Sequence, residues 1–301
     1  MSVLRFRPAF LALLLVACDR SAPATKRDST AVQTPAGTTP AAATAQDNSW
    51  NRDAGPLLLV QGESAEEAIV VLPSDNDSAA VLRQLPASHA SLFGRGGLQL
   101  SAQFGMAARE REPECRVWPL QLGPGHAGDT WAVGFMGGTV QPIPMDSIEM
   151  LSSRDSMALA AEASRLASSA TAATGPSFEG LRFVAHDVRR FELSPGVHAL
   201  VAHLIRRVNQ EANPQEEQTL IIAERDSGVT TGPYQLVYAD RSSGLEEQVV
   251  SPEVIAGLRV GGRPTLIIAR DSEAGVSYVL LERTGLRQWK VRWVSAPTRC
   301  A

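Results

Sequence analysis

The chain has 301 residues, 44% of them hydrophobic and 20% charged, with a net charge of −4. That apolar content suffices for one or two packed domains, and a mildly acidic chain gains nothing from a phosphate backbone, so nucleic acid is not an expected partner. Residues 1–17 read as a signal peptide. Arg5 and Arg7 form a positive start, Ala9 to Val16 form a continuous apolar run, and Leu15-Val16-Ala17-Cys18 closes it. The run is shorter than the roughly 20 residues a bilayer span requires, and its length suits an export signal.

The Leu15-Val16-Ala17-Cys18 tetrapeptide resembles the lipobox of bacterial lipoproteins. The resemblance implies cleavage before Cys18, a diacylglyceryl thioether on its sulfur, and acylation (palmitate, for example) of the new amine. It places the small residue that cleavage requires at Ala17. Several buried acyl chains, at about 0.8 kcal/mol per CH₂, hold a protein firmly on a membrane. The expected location is the cell envelope, on the inner or outer membrane, facing periplasm or exterior. Asp19 follows the cysteine. In some enteric bacteria an aspartate there retains a lipoprotein in the inner membrane, but the rule does not extend to all bacteria.

Residues 18–50 are rich in Ala, Thr, Ser, Pro and Gln and nearly lack large apolar side chains. Such a segment cannot bury enough surface to offset its ordering entropy, so it reads as a lipidated cysteine followed by a flexible tether. The body spans 51–301, with sub-parts 51–150 and 172–301 joined by a helix. Short apolar runs bounded by Gly, Pro, Asn and Asp predict strands. They are Leu57–Val60, Ala68–Leu72, Leu98–Phe104, Arg116–Leu122, Thr130–Phe135, Leu181–Val184, Val197–Val208, Thr219–Glu224, Tyr234–Ala239, Thr265–Ala269, Val276–Glu282 and Gln288–Val294. Leu159, Ala163, Leu166 and Ala170 recur at helical spacing. With Ser152 and Asp155 as a capping box and Gly175-Pro176 as a stop, they predict one amphipathic helix near 150–171, its Ala-rich face on a sheet. The fold class is mainly β (α+β).

Two stretches repeat. Thr219-Leu220-Ile221-Ile222-Ala223 matches Thr265-Leu266-Ile267-Ile268-Ala269, and Tyr234–Tyr238 matches Tyr278–Glu282. Each unit runs strand, turn, strand, a pattern that suits a propeller-like blade or a stacked β-unit. With the preceding Gly257–Pro264, the second copy is similar to the FG-GAP/VCBS-type repeats of exported bacterial proteins. Val260, Gly261 and Gly262 stand where that family has acidic calcium ligands, so calcium binding does not carry over.

No catalytic, cofactor or metal signature is present. The five histidines (89, 126, 186, 198, 203) lack metal spacing, and His198 and His203 fall on opposite faces of one predicted strand. Gly94-Arg95-Gly96-Gly97 lacks the Lys-Ser/Thr of a phosphate loop and reads as a hairpin turn; Asp75-Asn76-Asp77 reads as a polar turn. Arg189-Arg190 and Arg206-Arg207 either grip an anion or decorate a sheet face. With Cys18 lipidated, Cys115 and Cys300 form an even pair for an oxidising compartment, which favours a disulfide over two buried thiols. The expected function is non-enzymatic: binding of an envelope protein or glycan, or a structural role, on a lipid anchor. The alternative is a lipid-anchored hydrolase with a dispersed site drawing on residues such as His126, Asp129, His186 and Asp187.

Overall fold

The computed structural model describes residues 48–74, 78–112, 115–126, 129–170, 178–208, 214–226 and 232–300. The expected signal peptide, Cys18, nearly all of the expected tether, and the residues Asp75-Asn76-Asp77 and Gly175-Pro176, read from sequence as a turn and a helix stop, lie outside them. Asn48 and Trp50, at the edge of the tether composition, already belong to the folded body. The Asn48 side-chain oxygen accepts from Val294 N–H, and Trp50 packs edge-on against Trp293 with ring centroids 4.7 Å apart.

The chain first builds a small antiparallel barrel. Its strands are β1 (Leu58–Gln61), β2 (Glu67–Val71), β3 (His89–Phe93), β4 (Gln99–Phe104), β6 (Cys115–Leu122) and β7 (Val133–Phe135). β1 pairs with β2 and β7, β3 with β4 and β7, and β6 with β4 and β2, so the ring closes; β5 (Arg109–Glu112) adds to β6 outside it. Closure removes exposed strand edges. Leu57 and Leu59 point into the interior with Leu92, Phe104 and Trp118, joined by Val81 of α1 (Ser78–Gln84). Leu58, Val60, Phe93 and Phe135 point outward onto a second sheet. Burial on both faces explains why Leu57–Val60 is an unbroken apolar run rather than an alternating one. At Gly134 a Cβ would lie 2.6 Å from Leu92 Cδ2 and 3.1 Å from Ser91 O, so a larger residue there would displace the packed leucine.

Two five-stranded antiparallel sheets stack beyond the barrel. The middle sheet contains β8 (Val140–Pro142), β14 (Ser251–Val260), β15 (Arg263–Ser272), β16 (Gly275–Gly285) and β17 (Gln288–Val294). The outer sheet contains β9 (Asp146–Ser147), β10 (Val184–Ser194), β11 (Val197–Val208), β12 (Gln215–Asp226) and β13 (Gln235–Leu245). The repeated Thr-Leu-Ile-Ile-Ala stretch lies in β12 and again in β15. Leu220 and Ile222 face Leu266 and Ile268 between the sheets. Ile267 turns to the barrel, and Ile221 and Ala223 turn to the helix. Both copies therefore meet one demand, a strand buried on two faces. Gly261 and Gly262, at φ +57° and +82°, form the two-residue turn that joins β14 to β15. The Gly94–Gly97 stretch joins β3 to β4, as a hairpin turn does.

Helix α2 (Ser153–Ser169) covers the outer sheet. Ser152 caps it, accepting from Asp155 N–H and donating to the Asp155 carboxylate at 2.8 Å. Ala163, Leu166 and Ala167 are its buried face, so the Ala-rich stripe is a sheet contact. The order is thus barrel, middle sheet, outer sheet, helix. Residues 51–150 are not a separate part, because β8 and β9 belong to the two later sheets. Cys115, at the start of β6, is bonded to Cys300 beyond β17.

α1, β3, β5, β8, β9 and β14 were not among the expected elements, and the strand expected at Leu181–Val184 overlaps β10 only at its first residue. β14 (SPEVIAGLRV) was hidden by its proline and glycine, which read as turn signals. Its Pro252 pairs near a strand end, and Gly257 lies closely against Ile143 and Met145.

Candidate functional site

Between β8 and β9 the chain crosses from the edge of the middle sheet to the edge of the outer one. This strap, Pro142 to Asp146, pairs with β14 on one side and β10 on the other. Ile143 and Met145 plunge into the inter-sheet core, so Pro142, Pro144 and Asp146 line the outside. A Cβ at Gly257 would lie 3.0 Å from Ile143 O, and the glycine admits this close approach.

The strap forms one wall of a cleft of about 650 Å³, within the range of small-molecule sites. Its floor is the helix-side face of the outer sheet, beyond α2. Glu192, His198 and Arg225 are direct cross-strand neighbours there, with Arg190 two residues along. Arg225 stacks on the Tyr234 ring at 4.6 Å, and its Nε is buried with no hydrogen-bond partner. Arg259 reaches in from β14 and donates to Leu193 O. Burial pushes the Tyr234 hydroxyl pKa up, while the nearby Arg225 and Arg190 cations oppose that shift. Among the described residues, none of Arg190, Arg225, Arg259, Asp146 and Glu192 is in an ion pair.

Sequence pattern singled out only Arg190 and His198 of this group. The other three arginines of the two basic pairs are engaged elsewhere. Arg189 pairs with Asp187, Arg206 with the fully buried Glu217, and Arg207 with Glu216. Arg225, Arg259, Asp146 and Glu192 come from separate strands, Tyr234 from just before β13, and together they leave no local motif. A polar residue inside a strand, such as Arg225 after Ile221-Ile222-Ala223, is the signal that could have marked them.

A second cavity, of about 260 Å³, lies on the opposite face of the outer sheet, against the middle sheet and the barrel's Arg95. It brings His186, Asp187 and His203 beside Ser251 and Glu253. His198 and His203 thus do face opposite ways. The His203 Nε2 and the Gln218 carbonyl oxygen are 2.8 Å apart, and the His186 and His203 rings meet edge-on at 5.1 Å. The carboxylates are held by arginines, Asp187 by Arg189 and Glu253 by Arg95. His126 and Asp129 form a 2.9 Å pair of their own in a loop, away from this cavity. Among the described residues, no group of three or more His, Cys, Asp or Glu could hold a metal ion, and no helix is long and apolar enough to cross a membrane.

Burial holds the His203 imidazole pKa below its ordinary value, helped by the His186 neighbour. The Gln218 contact and the Asp187 and Glu253 charges pull the other way. The folded state therefore binds its proton more weakly than the unfolded chain does. The contribution of His203 is fully present above the unfolded value of about 6.5 and is lost as pH falls below it. Denaturation midpoints taken from about pH 7.5 to about pH 5 should fall less steeply in His203→Gln than in the wild type. Parallel curves would show that His203 carries none of the dependence.

No known protein family, curated protein or solved structure matches this chain.

Proposed function

We propose that this protein is a lipid-anchored lipoprotein of the bacterial cell envelope whose β-rich body binds an anionic envelope ligand in the arginine cleft, without catalysing a reaction on it. The anchor rests on the leader pattern and on Cys18 in the tetrapeptide Leu15-Val16-Ala17-Cys18. The binding role rests on one observation. Three guanidiniums and two carboxylates share a cleft, and among the described residues none of the five is in an ion pair, although Glu192 accepts from Gly196 N–H and Arg259 donates to Leu193 O. Charged groups held close without neutralising one another keep their hydrogen-bonding capacity for a ligand.

Each half has its own test. Cys18→Ser will lose labelled palmitate and leave an uncleaved or mislocalised chain; normal acylation of the variant refutes the anchor. Crosslinking in envelopes of the native host will capture a ligand that Arg190→Gln/Arg225→Gln fails to capture. Equal capture by both proteins removes the cleft from the reading.

The second reading is the lipid-anchored hydrolase, favoured by the His186–His203 cavity with its two carboxylates. Against it, no hydroxyl is hydrogen-bonded to either histidine among the described residues, and arginines hold both carboxylates, so a nucleophile–base pair is not assembled. Turnover of an ester or glycoside that disappears in His203→Gln would select the hydrolase.

A further inference from the structure

We infer that the occupant of the arginine cleft is an acidic saccharide: a polyhydroxy ligand carrying one carboxylate. The inference rests on the binding reading above and names the chemistry of that site.

Charge sets the first requirement on the ligand. Arg190, Arg225 and Arg259 face Asp146 and Glu192, which leaves one net positive charge for the ligand to balance. A phosphate monoester carries about −1.5 to −2 near neutral pH and would meet both carboxylates. A single carboxylate matches the balance and suits the flat fork of a guanidinium. The buried, unpartnered Nε of Arg225 is a donor still lacking an acceptor.

The carboxylates decide the rest of the ligand. Ionised Asp146 and Glu192 can only accept hydrogen bonds, so the ligand must also bring donors. Hydroxyls around a sugar ring supply donors on the same small body as the anionic group. A peptide could supply N–H donors too, but only the short β10 edge beyond Arg190 lies outside the β9 ladder, and there Leu193 O already accepts from Arg259. Arg190 is already laddered to Asp146, and His198 to Glu192 and Arg225. Recognition falls to long polar side chains, with Pro142, Pro144 and Pro195 as apolar walls for ring C–H groups.

The test is calorimetric titration of the full-length protein in detergent with galacturonate, galactose, inorganic phosphate and acetyl-triglycine, a peptide with one carboxylate. Galacturonate should bind and galactose should not. Arg190→Gln, a change at an exposed side chain, should weaken galacturonate by about tenfold or more, as loss of a charge-assisted pair does. Glu192→Gln provides the sign test, because it removes an acceptor from the sugar hydroxyls and a repulsion from phosphate. It should weaken galacturonate and strengthen phosphate. Phosphate or acetyl-triglycine binding at least as tightly as galacturonate, with the same dependence on Arg190, overturns the saccharide and leaves the anion cleft standing. Failure of all four probes to bind overturns both.

Discussion

Reduction of the Cys115–Cys300 bridge will destabilise the body by about 2–5 kcal/mol, toward the upper end for so long a loop. The two cysteines are 185 positions apart in sequence, with Cα atoms 5.1 Å apart. The bridge ties the barrel to the segment that follows the last strand. That segment is otherwise held by few bonds: Thr298 pairs with Val276, and Tyr278 N–H donates to Ser295 Oγ at 2.8 Å. For a body of this size, several kcal/mol corresponds to a fall in Tm of about 10 °C. Denaturant titration with and without reductant, repeated on Cys115→Ala/Cys300→Ala, measures the effect. Unchanged midpoints, or two free thiols in the unreduced protein, would refute it.

Glu224→Ala will cost about 3–5 kcal/mol. Glu224 is fully buried on β12 and is the chief polar link between the outer and middle sheets. Arg283 of β16 grips it with two hydrogen bonds of 2.9 and 2.7 Å, and the Trp289 indole N–H of β17 adds a third at 2.7 Å. Alanine removes the carboxylate from a guanidinium whose side chain is only 14% exposed and from the Trp289 indole. Breaking one half of a buried ion pair is strongly destabilising for that reason. Replacing both charges together with apolar side chains, as in Glu224→Leu/Arg283→Met, should recover part of the loss. Urea midpoints of the three variants test the ordering, and a single variant at least as stable as wild type defeats it.

Much of the β architecture was legible because burial on two faces leaves a distinctive trace. Leu57–Val60, Leu220–Ala223 and Leu266–Ala269 are apolar throughout, and each proved to be a strand packed on both sides. α2 was legible from spacing and its Ser152–Asp155 cap. Cys115 and Cys300 were legible by parity. Short pairing segments were not. β8 and β9 have three and two residues, too few for any period to show, yet they carry the strap that shapes the cleft. The cleft was illegible for a related reason. Its charges come from four separated strands, and only register brings Glu192, His198 and Arg225 side by side. The contrast with Arg206 is instructive. It belongs to a visible basic pair but lies sandwiched at 5.3 and 4.5 Å from the Phe178 and Phe183 rings, with Glu217 as its counter-ion.

The strap also constrains assembly in time. A ribosome delivers the amino-terminal strands first, and the barrel can zip up from its own neighbours. β8 and β9, however, wait for β14 and β10, which emerge much later. Non-local pairings of that kind slow folding and prolong exposure of unsatisfied edges. Maturation should therefore be two-phased: a fast early closure, then a late stitching step in which the crossing segment is clamped as the carboxy-terminal strands arrive. Substitutions in Pro142 to Asp146 should retard the second phase and leave the first untouched.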